Sequence, residues 1–343
     1  MSDVTIRTCG VAGRITLARP QALNAMTYNM CMAIKEAIKD WAANDSVEMV
    51  IIDAEGDRAF CAGGDIQEIY ERGVRGDYEY ARNFWREEYS MNAMIDGYPK
   101  PYVAFMQGYV MGGGVGISCH GSHRIVCEST RIAMPECAIG LVPDVGGSHI
   151  LAKAPGHMGK YAATTGARHG PADSIYAGFA DTYIPVEKWS GLRESLSRSG
   201  NLALISEAAE SPPKGRFGEL AEAIDRHFRG ETLAEILESV KSEKCGFTRE
   251  VLSAFSRNSP LSMGCAIEII NRLRNHAPNI RTALELEYRF THRSMDEGDF
   301  LEGIRAAVID KDRSPKWSHD LEDPPNEKIS GMLRPFEDPM PKF

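Results

Sequence analysis

Two carboxylates eight positions apart, Glu136 and Asp144, lie in the segment Met134-Pro135-Glu136-Cys137-Ala138-Ile139-Gly140-Leu141-Val142-Pro143-Asp144-Val145-Gly146-Gly147. Glycine and proline punctuate it, so both acids fall on turns. Carboxylates held that way can move protons, activate water or attack an electrophilic carbon. Two glycine-rich segments upstream supply a complementary element: Phe60-Cys61-Ala62-Gly63-Gly64-Asp65 and Met111-Gly112-Gly113-Gly114-Val115-Gly116. Glycine lets a backbone approach a ligand closely and take positive φ. If each segment ends a strand and opens a helix, two N–H donors can converge on one carbonyl oxygen and stabilise charge developing there.

The elements that must position these groups follow from hydrophobic periodicity. Strand-like runs occur at 14–18, 49–53, 102–105, 123–127 and 131–134, separated by helical patterns over 28–43 and about 78–95. Such alternation predicts an α/β class. Beyond about Pro185 β-rich runs become few, and after a break at Ser211-Pro212-Pro213-Lys214-Gly215 the spacing predicts helices, among them 233–240 and 284–293. The expected organisation is a core over 1–190 carrying the active site, a helical region over 191–320, and a tail over 321–343. That tail is rich in Pro, Asp and Glu and is expected to wrap the surface loosely. No fixed-period repeat or low-complexity tract occurs.

Each candidate also has a plainer role. Glu136 after Pro135 is a good first helical turn, and Pro-Asp-x-Gly makes Asp144 a good turn residue. Glu88 sits in the charged run Arg86-Glu87-Glu88, which by itself signals a solvated helix face. Asp65 is placed to cap the helix after the first glycine segment. Cys61 invites a thiol-nucleophile reading, but that needs a base and a lowered thiol pKa. Cys119, His120 and His123 do not make a complete metal set, so no metal is expected. There is no G-x-S-x-G elbow, full G-x-G-x-x-G or phosphate-binding P-loop.

With Cys-Ala-Gly-Gly-Asp at 61–65 and Gly-Gly-Gly at 112–114, the chain resembles the crotonase (enoyl-CoA hydratase/isomerase) superfamily. That resemblance implies a ββα spiral core with an oxyanion hole made by the N–H groups of Gly64 and Gly113. Hydratases of the superfamily carry a catalytic Glu two residues beyond the glycine triplet, where this chain has Gly116. The runs Met111 to Gly116 and Met134 to Gly147, Arg86-Glu87-Glu88-Tyr89, and Asp299 to Asp312 with Pro315-Lys316-Trp317 resemble instead the 3-hydroxyisobutyryl-CoA hydrolase family. The resemblance implies cleavage of that thioester to 3-hydroxyisobutyrate and CoA, a step of valine degradation. It makes Glu136 and Asp144 catalytic, sets Glu88, Ala62 and Asp65 against substrate, and requires no cofactor beyond the CoA of the substrate. Glu136 is expected to act either as nucleophile or as general base. The alternatives are a hydratase or isomerase, and a non-catalytic acyl-CoA-binding protein. Homo-oligomers are common among such relatives.

Composition suits this. The 343 residues are 43% hydrophobic and 25% charged, enough for a large core without disulfide or metal staples. A net charge of −9 argues against a nucleic-acid surface, although CoA, itself anionic, requires a locally basic site. Eight cysteines without a C-x-x-C pair read as reduced thiols. The N-terminal sequence enters strand-like residues without an apolar signal core or an Arg/Ser-rich transit segment, which makes the cytoplasm the expected compartment. No apolar run is long enough to span a bilayer.

Overall fold

The computed structural model describes residues 3–276, 279–337 and 341–343. The chain forms two compact units interleaved in sequence. Met1–Gly64, Ser90–Ala133 and Arg168–Arg216 make the first; Asp65–Tyr89, Met134–Ala167 and Phe217–Phe343 make the second.

The first unit carries every strand found among the described residues: β1 (Val4–Cys9), β2 (Ala12–Leu17), β3 (Met49–Ala54), β4 (Ala59–Cys61), β5 (Tyr102–Met106), β6 (Tyr109–Met111), β7 (His123–Val126), β8 (Arg131–Ala133) and β9 (Thr182–Tyr183). One sheet has the order β1-β2-β3-β5-β7-β9 and the other β4-β6-β8. Among the strand pairs of the described residues, only the β1–β2 hairpin is antiparallel. From β3 onward, successive strands alternate between the sheets, which is the expected ββα spiral. β3 and β5 are buried along their whole length and apolar except for Asp53, as parallel strands covered on both faces must be. One face of the larger sheet packs Met49, Ile51, Val103, Phe105 and Ile125 against Trp189, Leu192 and Leu196 of the helix Trp189–Ser199.

The second unit is helical, and no strand follows Tyr183 among the described residues. Its helix Pro260–Asn275 is buried along most of its length and packs against the helices Gly147–Lys153, Met158–Thr165 and Asn326–Met332. The tail is therefore more firmly seated than its composition suggests. Ile329, Met332 and Leu333 are buried, and the Arg293 guanidinium donates to the carbonyls of Met332 at 3.0 Å and Arg334 at 2.9 Å. Apolar residues at helical spacing outweigh the surrounding Pro, Asp and Glu.

Candidate active site

The glycines of both segments belong to the first unit. β4 and β6 run parallel with Cys61 opposite Val110, so their carboxyl ends finish side by side. Each then turns through a positive-φ glycine, Gly63 at +116° and Gly112 at +46°, and Gly113 opens the helix Gly113–Ser118. The two segments touch, because a Cβ on Gly114 would lie 2.4 Å from the Cys61 carbonyl oxygen. Gly114→Ala is therefore expected to force β4 and this helix apart and to lower the melting temperature, read by differential scanning fluorimetry. The Ala62 N–H is spent on the Leu23 carbonyl at 3.1 Å, and the Gly63 carbonyl accepts the Met26 N–H at 2.9 Å. By contrast, the N–H groups of Gly64 and Gly113 make no backbone hydrogen bond among the described residues. Gly116 is buried inside the helix and puts no carboxylate there.

The carboxylates belong to the second unit. Glu136 begins a short 3₁₀ helix, Glu136–Ile139, that is clamped in place. The Ser259 N–H donates to the Cys137 carbonyl at 2.9 Å, and the Ser259 hydroxyl donates to the Asp299 carboxylate at 2.7 Å. Gly140 at φ +73° and Gly303 lie so close to the Asp299 and Ile139 backbones that a Cβ on either would collide. The late Asp299–Gly303 segment thus serves the turn that carries Glu136. Glu136 is 5% exposed, Asp144 4% and Glu88 4%. The charged run around Glu88 is consequently not a solvated face at that residue: Phe84, Trp85, Glu88 and Tyr89 share the buried stripe of the helix Glu79–Asp96. Glu88 Oε1 and Glu136 Oε2 are buried with no hydrogen-bond partner. Asp144 accepts the Tyr89 hydroxyl proton at 2.8 Å. Asp65 occupies the N-cap position of the helix Ile66–Gly73, but its carboxylate makes no capping bond, contrary to the sequence expectation.

Burial dominates the electrostatics. It pushes Glu136 and Glu88 well above the ordinary carboxylate range, and the negative charge of Asp144 pushes both further. Asp144 itself is raised to about 7 by burial, against the opposing hydrogen bond from Tyr89. An anion so enclosed must be hydrogen-bonded or take up a proton. Tyr89→Phe removes that donor. The acid limb of the pH–rate profile is expected to move upward, with kcat at pH 7 down about tenfold.

Sequence reasoning assigned no role to Tyr89 and did not single out Glu287, a fully buried carboxylate that accepts the Gly146 N–H at 2.8 Å. Of the residues weighed as metal ligands, burial raises the Cys119 thiol to about 11, and the His123 ring hydrogen-bonds to Ser122 at 2.9 Å. No group of three or more His, Cys, Asp or Glu arranged to hold a metal occurs among the described residues.

Comparison with known proteins places the chain in a family. A family model described as enoyl-CoA hydratase/isomerase matches residues 12–333. Proteins named 3-hydroxyisobutyryl-CoA hydrolase, mitochondrial, are similar to the chain. The one from Danio rerio is 38% identical, with 92% of this chain and 85% of the relative covered, and the one from Homo sapiens is 36% identical, with 97% and 88% covered. Among solved structures, an enoyl-CoA hydratase from Rhodobacter sphaeroides is 52% identical with a TM-score of 0.93, covering 97% of this chain and 98% of that one. A carnitinyl-CoA dehydratase from Mycobacterium thermoresistibile is 36% identical with a TM-score of 0.93, covering 98% of each. By sequence, strand order and family match alike, the chain belongs to the enoyl-CoA hydratase/isomerase family.

Proposed function

We propose that this chain hydrolyses a short 3-hydroxyacyl-CoA thioester, with 3-hydroxyisobutyryl-CoA, the compound in its curated relatives' name, as substrate. The observation that carries the reading is Glu136, a buried carboxyl with one oxygen unpaired, in a chain whose glycine triplet is followed by Gly116. One carboxylate suffices for acyl transfer, whereas hydration across an α,β double bond is served by a pair.

In this reading the N–H groups of Gly64 and Gly113 hold the thioester oxygen and stabilise the charge that grows on it. Two routes then lead to product. The Glu136 carboxylate attacks the acyl carbon, CoA leaves as thiolate and takes up a proton, and water cleaves the resulting mixed anhydride. Alternatively, Glu136 removes a proton from water as it attacks the acyl carbon, and collapse of the tetrahedral intermediate expels the CoA thiolate. An acyl adduct on Glu136 in acid-quenched enzyme identifies the first route. Asp144 and Glu88 orient the 3-hydroxyl and the water, while Ala62 and Asp65 line the acyl-CoA path. The reaction needs no cofactor other than the CoA of the substrate.

The names of the similar solved structures favour a second reading, hydration of an enoyl-CoA. The deciding experiment follows CoA thiol release from 3-hydroxyisobutyryl-CoA alongside hydration of crotonyl-CoA. Thiol release alone supports the hydrolase, hydration alone overturns it, and acyl-CoA binding without either identifies a binding protein. Homo-oligomerisation, common in related folds, is read by light scattering on the same preparation. The cysteines of the described residues are all free, which suits a reducing compartment. Fractionation decides between the cytoplasm and the mitochondrial location in the relatives' names. No described helix is long and apolar enough to cross a membrane.

A further inference from the structure

Glu287 lies on the helix Ile280–Ser294 and spends both carboxylate oxygens on the turn that follows Asp144. Its Oε2 accepts the Gly146 N–H at 2.8 Å; its Oε1 accepts the Ser148 N–H at 3.1 Å and the Ser148 hydroxyl. The Gly147 N–H returns to the Asp144 carbonyl at 2.7 Å and closes the turn. That turn is strained. Val145 stands at φ +53°, a left-handed conformation that a β-branched side chain disfavours, and Gly146 follows at +77°. Such a conformation persists only where its surroundings enforce it, and strain of this kind gathers at functional sites.

We propose that Glu287 is a positioning residue, which sets the aim of the Asp144 carboxylate by pinning the Val145–Gly146 turn from behind. The inference rests on the hydrolase reading, and it assigns a task to a buried acid which that mechanism leaves unused. The Gly146 and Ser148 N–H groups can only donate, so both carboxyl oxygens of Glu287 must accept, while the Ser148 hydroxyl completes the set. An amide at the same place must turn its NH2 toward one of these donors. The titratable groups around it are Asp144, Glu136 and Tyr89, all acids. A second carboxyl group is therefore kept beside Asp144.

Glu287→Gln is expected to lower kcat for thiol release about a hundredfold, the scale of a misplacement near one ångström, with KM little changed. Val145→Gly in that background should recover part of the lost kcat, since glycine accepts the left-handed turn without strain. Both are assayed well below the melting temperature of each variant. Amide hydrogen exchange gives an activity-independent reading: Gly146 and Ser148 should exchange faster in Glu287→Gln. A folded Glu287→Gln with wild-type kcat and wild-type protection at those amides overturns the proposal. If wild type itself releases no thiol, the hydrolase reading fails separately, and the exchange data still decide whether Glu287 holds the turn. Should Glu287→Gln not fold, Ser148→Ala removes one donor only. A severalfold fall in its kcat supports the pin, and wild-type kcat with unchanged Gly146 protection overturns it.

Discussion

Glu136→Gln is expected to lower the rate of CoA release by about a thousandfold or more while leaving acyl-CoA binding nearly intact. Gln matches Glu in shape but can neither accept a proton from water nor form an anhydride, so either route stops at the same place. Binding survives because CoA contributes far more contact than one carboxylate, and the neutral amide removes no charge partner. Stability should survive as well. Glu136 Oε2 has no hydrogen-bond partner, and burial already opposes the charged form, so neutralising the group costs the fold little or stabilises it. Thiol release at saturating 3-hydroxyisobutyryl-CoA, with calorimetric binding and a melting curve on the same sample, separates these effects. Turnover within a few-fold of wild type would sink the assignment of Glu136.

How far the sequence reveals this site depends on how local each part is. The glycine segments and the Glu136–Gly147 stretch are legible because strand ends and turns are written in consecutive residues. Their role as strand exits is what β4 and β6 show. Glu88 and Glu287 are harder, because a charged residue normally marks an exposed face. A signal was present nonetheless. Glu88 falls on the stripe Ala81, Phe84, Trp85, Glu88, Tyr89 and Asn92, and Glu287 on Ile280, Ala283, Leu284, Glu287, Phe290 and Thr291, all buried. A carboxylate in register with an apolar stripe is either a packing error or a functional group. What Glu287 holds could not be read, since its donors lie on a turn remote in sequence and only the folded unit brings them together. The same limit hides the interleaving of the two units, which is a property of long-range contacts and leaves no mark on local composition. For the tail, Ile329, Met332 and Leu333 outweigh the Pro, Asp and Glu around them, a case where three residues matter more than a segment average.

The second large effect concerns pH. Asp144 is raised from its ordinary 3.8 to about 7 and Glu287 from 4.5 to about 8, both mainly by burial. Between those values the folded protein binds protons that the unfolded chain has released, so stability falls as pH rises. The stabilisation is complete below the unfolded values and is lost as pH climbs through about 7 to 8. For Asp144 alone the fully expressed effect is on the order of a few kcal/mol. Asp144→Asn removes one of these titrations and still offers an oxygen to the Tyr89 hydroxyl. The variant is expected to melt above wild type at pH 8 and close to it at pH 5, with a shallower slope between, while kcat falls about a hundredfold. Removing the Asp144 charge also eases the ionisation of Glu88 and Glu136, because that charge is part of what raises them. Melting curves of both proteins from pH 5 to 8.5 provide the check, and parallel slopes would show that Asp144 does not titrate as its burial requires. A higher melting point joined to lost turnover would mean that the fold bears the cost of an enclosed acid because the reaction uses it.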